Sequence, residues 1–177
     1  GLLLNERVFQ PQNGLLTLLI VLTLGLGFTL MLAILPFHAW LPQAAEDGPP
    51  LVAAWLAGGM IGSYLVVLME LMMRYEWLGT NPQVQRLLLT GGLLLAVGAA
   101  LLVITEDHLG RLWAYLALVD LGYVLLGLTI GTRVAMTAVL LTLAGRLVSL
   151  LLGGAALATI RHRATSLSFD DLEGVGG

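Results

Sequence analysis

Asp120 and Arg146 are opposite charges set near the middle of two consecutive apolar runs, each long enough to cross a bilayer. On antiparallel helices they fall at similar depth. A lone charge at the centre of a spanning helix costs about 2.5 to 3.5 kcal/mol on insertion scales, and pairing offsets that cost, so the two are expected to pair. The pair could serve as part of a proton path or as an ion pair that fixes helix register. Arginine is effectively never deprotonated, so Arg146 cannot pass a proton on by titrating. Around it Thr142, Arg146, Ser149 and Gly153 recur at i, i+4, i+7 and i+11, which predicts a polar and small stripe facing the bundle interior. Tyr123 sits one turn from Asp120.

Two further residues could handle protons. Histidine can carry protons near neutral pH, so His38, in the link between the first two runs, could act at a membrane mouth or be an ordinary hydrogen-bonded loop residue. Glu70 lies near the end of its run, where a carboxylate can reach the interface. His108 and His162 fall at run ends and are expected to be solvated. Three scattered histidines lack the i, i+3 or i+4 recurrence of a metal site, so no metal is expected. Haem ligation finds no histidine at mid-depth. The glycine pairs lie inside apolar runs rather than between a strand and a helix, which excludes a phosphate loop. With no cysteine there is no disulfide, thiolate ligand or thiol nucleophile. No catalytic residue and no cofactor is assigned to this chain.

The elements that must position these residues follow from composition. Of 177 residues 58% are hydrophobic and 11% charged, against about 25% charged in a soluble domain, and mean hydropathy is +0.94. The fold class is all-α, a polytopic transmembrane bundle with about five spans near 14–35, 51–73, 87–105, 109–130 and 133–160. The whole of 1–177 forms one transmembrane region, with 161–177 a polar tail or loop. All eight cations are arginines. Arg7, Arg74, Arg86 and Arg133 fall on one side and Arg111, Arg161 and Arg163 on the other, which leaves orientation undecided by the positive-inside rule. A net charge of -3 argues against a nucleic-acid partner. The first residues do not resemble a signal peptide, and the chain is expected to be part of a longer one.

The link Pro36-Phe37-His38-Ala39-Trp40-Leu41-Pro42, followed by Gly48-Pro49-Pro50-Leu51-Val52-Ala53-Ala54, resembles the antiporter-like membrane subunits of proton-pumping NADH:quinone oxidoreductase, respiratory complex I, and their relatives in multisubunit cation/proton antiporters. Arg111-Leu112-Trp113-Ala114-Tyr115 through Leu121-Gly122-Tyr123 is similar to a second segment of that family. Phe169-Asp170-Asp171-Leu172-Glu173-Gly174-Val175 resembles a third. The three occur in family order, and the resemblance covers about residues 14–177. A whole member has roughly fourteen spans, so this would be a middle portion.

The resemblance implies a helix bundle that moves protons along a buried line of Lys, His and Glu, with electron transfer elsewhere in the assembly. It also implies departures. Met31 and Met60 stand where the family often has lysines, Asp120 aligns with a family histidine and Arg146 with a later lysine. The usual path would then be interrupted in at least two places. Implied partners are other membrane subunits and lipid, in an energy-transducing membrane such as the bacterial inner membrane. A non-translocating scaffold and an electron-free cation/proton antiporter subunit are the alternatives.

Overall fold

The computed structural model describes residues 14–164 and 167–169, and among these no strand longer than an isolated bridge occurs. Arg7 and positions 170–175 of the third family-like segment lie outside the described residues. Among the described residues five helices are long and apolar enough to cross a membrane. Helix α1 (Gly14–Met31) stops short of the expected boundary at 35. Leu32 and Ala33 are fully buried, and Ala33 has φ 52°, a left-handed conformation that a helix cannot continue through. Pro36 follows, and proline disfavours helix in the residue before it. A 3-10 turn (Phe37–Ala39) and the short α2 (Trp40–Asp47) carry the link back over the bundle, where Leu41, Pro42 and Ala45 are buried.

Gly48 ends α2, and Pro50 stands at the first position of α3 (Pro50–Trp55), where a missing N–H costs nothing. A π-helical turn (Leu56–Met60) joins α3 to α4 (Ile61–Arg74), and the three run on as a single rod. After the short α5 (Glu76–Thr80), α6 (Pro82–Val103) begins five residues before the apolar run at 87. Asn81 Oδ1 accepts from Gln83 N at 2.9 Å, and Pro82 occupies the first turn, so a polar cap and first turn precede the apolar stretch. Helix α7 spans Leu109–Leu128. Helix α8 (Arg133–Arg163) is 31 residues long, capped by Thr132, and extends through Arg161–Arg163 into the expected polar tail. At 1.5 Å per residue it is about 46 Å long, more than the roughly 30 Å of a hydrocarbon core.

Small residues decide which helices touch. A Cβ added to Gly122 on α7 would lie 2.7 Å from Ala96 N and 2.8 Å from Gly92 O on α6, so these backbones meet through glycine. A Cβ on Gly154 of α8 would collide with Ala54 Cβ and approach the Pro50 carbonyl of α3 to 3.0 Å. Leu65, Met69, Leu95, Leu118, Leu121 and Leu125 fill the core between these pairs. Beyond α8 the chain returns to the start of α7, where Leu109 N donates to Leu167 O at 2.9 Å and Phe169 N to Asp107 O at 3.1 Å.

Candidate intramembrane charge site

Arg146 is 5% exposed, midway along α8, and all three guanidinium nitrogens are occupied. Nε donates to Asp120 Oδ2 at 2.7 Å, Nη1 to the Ala57 carbonyl at 2.9 Å and Nη2 to the Ala117 carbonyl at 2.7 Å. One side chain therefore ties α8 to α7 and to the π turn. Hydrogen bonds from a charged donor are about twice as strong as neutral ones, and the low dielectric around the spans strengthens them further.

The π turn explains why a carbonyl in the middle of a helix can accept. Ile61 N–H donates to Leu56 O, five residues back, and to Gly58 O. In an unbroken α-helix that N–H would point to Ala57 O. The widened turn leaves the Ala57 oxygen open to α8. Gly58 lets α8 come near enough, since a Cβ there would meet Leu147 Cδ1 at 2.9 Å. On α7 the Ala117 oxygen accepts from Arg146 one turn before Asp120, so both acceptors on that helix lie on the same face.

Asp120 is placed differently. Its side chain remains 45% exposed, against 2% for that of Arg146. It faces a groove between α7 and α8 lined also by Trp113, Leu116, Thr142, Gly145 and Ser149, with a volume of about 520 Å³. The stripe expected to face the interior divides here. Arg146 is buried, whereas Thr142 and Ser149 are exposed along the groove and Thr142 donates back to Ala138 O at 2.9 Å. At 100° per residue Thr142 and Ser149 are turned about 40° and 60° from Arg146 around the α8 axis, to the same side, which carries them across the border of the buried face. Gly153 lies beneath Trp113. Tyr123 is 64% exposed on the outside of α7, away from the core.

The other sequence candidates are not brought to this pair. Glu70 lies exposed on α4. His38 sits half-buried at one end of the bundle, its ring centroid 6.2 Å from that of Tyr115 on α7 and tilted by 45°, with a buried Nδ1 that has no partner among the described residues. His108, expected to be solvated, has a buried Nδ1 and stands at the start of α7 beside Ser168, while His162 is exposed. Near that end Arg111 bridges Glu106 at 3.0 Å and Glu46 at 3.7 Å. This cluster joins the α6–α7 link to α2, and nothing in the spacing of those residues announced it. Nor did the sequence announce Ala57 and Ala117, because backbone acceptors leave no residue-type signal. No group of three His, Cys, Asp or Glu able to hold a metal occurs among the described residues.

Five span-length helices among the described residues, a proline-bounded link and a paired charge at mid-depth define a polytopic membrane helix bundle. The transmembrane family model described as NADH:quinone oxidoreductase/Mrp antiporter matches residues 3–175, and the chain belongs to that family. It is 29% identical over 167 residues to NADH-quinone oxidoreductase subunit N of Beijerinckia indica subsp. indica, an alignment that covers 94% of this chain and 34% of the relative. The chain thus spans about a third of the length of that curated relative.

Proposed function

We propose that this chain is the central part of an antiporter-like membrane subunit of a complex I-like NADH:quinone oxidoreductase, working in a bacterial inner membrane against other membrane subunits. Electrons would move on other subunits, and this chain would hold no redox group. Its part is to shape a proton-translocation path. The observation that supports this most is the fully engaged Arg146, a permanent cation at mid-membrane tied by three hydrogen bonds to α7 and the π turn. A guanidinium does not release its proton. It acts instead as a fixed charge that balances the Asp120 carboxylate at mid-membrane. The free side of Asp120 opens on the groove, so the carboxylate, not the arginine, is the group positioned to meet a neighbouring path.

The test is Asp120→Asn in the assembled enzyme, with protons moved per electron and NADH:quinone turnover both measured in inverted membrane vesicles. Retained turnover with fewer protons per electron supports the reading, and both values unchanged in an intact complex overturn it. A scaffold role is the second reading, favoured by Met31 and Met60 at positions where the resemblance implies lysine. It predicts that Asp120→Asn lowers the amount of assembled complex while each remaining complex pumps normally.

A further inference from the structure

The close contacts of α8 with the α3–α4 rod, made at Gly154, Leu147 and Arg146, all lie at the π turn or on its α3 side. Toward the other end, where α4 stops and α8 starts, a cleft of about 740 Å³ lies between them. That is within the roughly 300 to 1,000 Å³ of small-molecule sites. Its floor is apolar, formed by Met72, Met73, Met136 and Leu140. Leu140 stands two turns below Arg133, about 10 Å into the span at 1.5 Å per residue. Met73 and Leu140 stay exposed, so the floor continues onto the outer surface of the bundle.

The mouth carries two opposite charges. Glu76, at the start of α5, and Arg133, at the start of α8, both line the cleft and both are exposed. They belong to the end of the bundle at which α4 and α7 finish, and so stand at one membrane surface. Neither side chain makes an ion pair or a hydrogen bond among the described residues. The neutral polar groups beside them are engaged with backbone. Thr80 donates to Glu76 O at 2.7 Å, Thr137 to Arg133 O at 3.0 Å and Gln85 Nε2 to Gly79 O at 3.1 Å. A ligand therefore meets a free carboxylate and a free guanidinium above an apolar floor. An anion would gain Arg133 but face Glu76, and a cation the reverse. A zwitterion with an apolar tail satisfies both charges. A primary ammonium also donates hydrogen bonds to the carboxylate, which a trimethylated one cannot do.

We propose that this cleft holds the phosphoethanolamine headgroup of a glycerophospholipid, with the phosphate on Arg133, the ammonium on Glu76 and the upper part of one acyl chain over Met73, Met136 and Leu140. Methionine, flexible and polarizable, suits a floor that fits against a mobile chain. The lipid fills the gap between the end of α4 and the start of α8. The site needs only a bundle that crosses a membrane, and so stands apart from any role in proton translocation.

The experiment uses the full protein in its native assembly, reconstituted in phosphatidylcholine bilayers with a trace of one photoactivatable lipid. Three probes are compared, phosphatidylethanolamine, phosphatidylglycerol and phosphatidylcholine, each with a diazirine on an upper carbon of one acyl chain. After irradiation, adducts are mapped by peptide mass spectrometry, with labelling of the exposed α1 face as the internal reference. Adducts at 72–73 of α4 and 136–140 of α8 are expected, several times more from phosphatidylethanolamine than from the other two. Arg133→Gln should lower labelling by phosphatidylethanolamine about fivefold, the effect of one basic residue near a lipid phosphate. Glu76→Gln should lower it as well but raise labelling by phosphatidylglycerol, a reversal of preference that a purely structural role for Glu76 would not give. Both residues are exposed, so neither change disturbs the core. Three results would overturn the proposal: equal labelling of this cleft by all three lipids, labelling unchanged in both variants, or a neighbouring protein crosslinked at 136–140 in place of lipid.

Discussion

Helices α1 and α7 are both apolar and uncharged over most of their length, yet 6% of one spanning stretch is buried inside the bundle against 50% of the other. Hydropathy cannot distinguish them, because lipid tails are as apolar as leucine and give no net drive for one helix to bury against another. Helix α7 has what α1 lacks. Gly122 admits the α6 backbone, and Asp120 with the Ala117 carbonyl holds Arg146 of α8. Helix α1 offers Gly14 and Gly27, at which an added Cβ meets nothing within 4 Å, and Gly25, where it would meet only Leu87 Cδ1 at 3.5 Å. In this protein the close approach of backbones and polar ties select neighbours, and apolarity only places a segment in the membrane.

The largest test of that contrast removes the polar tie. Asp120→Asn leaves the buried guanidinium without its counter-charge and should cost about 3 kcal/mol, the scale for breaking a buried pair. Adding Arg146→Met should recover part of the loss. Denaturation in mixed detergent micelles, followed as a double-mutant cycle, reads the coupling, and strictly additive losses would remove the tie from the account.

Glycine approach comes next. Gly122→Ala should cost about 2 kcal/mol, since its Cβ would press on the Ala96 and Gly92 backbone and α6 must move outward. Gly58→Ala should cost about 1 kcal/mol, because the obstacle is the mobile end of Leu147. Equal losses at the two positions in the same denaturation series would contradict the distinction between backbone and side-chain obstacles. At the small end, Gly27→Ala on α1 should lie within about 1 kcal/mol of wild type, on the stabilising side, from helix propensity alone. A loss as large as that at Gly122 would mean that α1 packs closely against another helix in the whole protein.

Much of the bundle was legible in the chain. Runs free of charge and about 20 residues long marked the five spans, and prolines 36, 49 and 50 marked the link. The errors at span ends have local causes. An apolar-run criterion cannot see the polar first turn at Pro82–Arg86, and it cannot see the left-handed Ala33 that stops α1 before its apolar residues end. Asp120 and Arg146 were legible as a pair because charge at mid-depth is costly. The way Arg146 is held was not. Ala57 and Ala117 act through carbonyl oxygens, and the first is available only because a π turn shifts the Ile61 hydrogen bond.

The sequence by itself determined that the chain crosses a membrane about five times and that its mid-depth charges would be paired. Both follow from the cost of leaving charge in hydrocarbon, a property of each residue and its depth. Only the tertiary structure decided that Arg146 would be enclosed while Asp120 opens on a groove, and that Thr142 and Ser149 would face outward. Those outcomes depend on the rotation of each helix about its axis. Glycine contacts and a single widened turn set that rotation, because a helix that is apolar on every side has no one face that must turn inward.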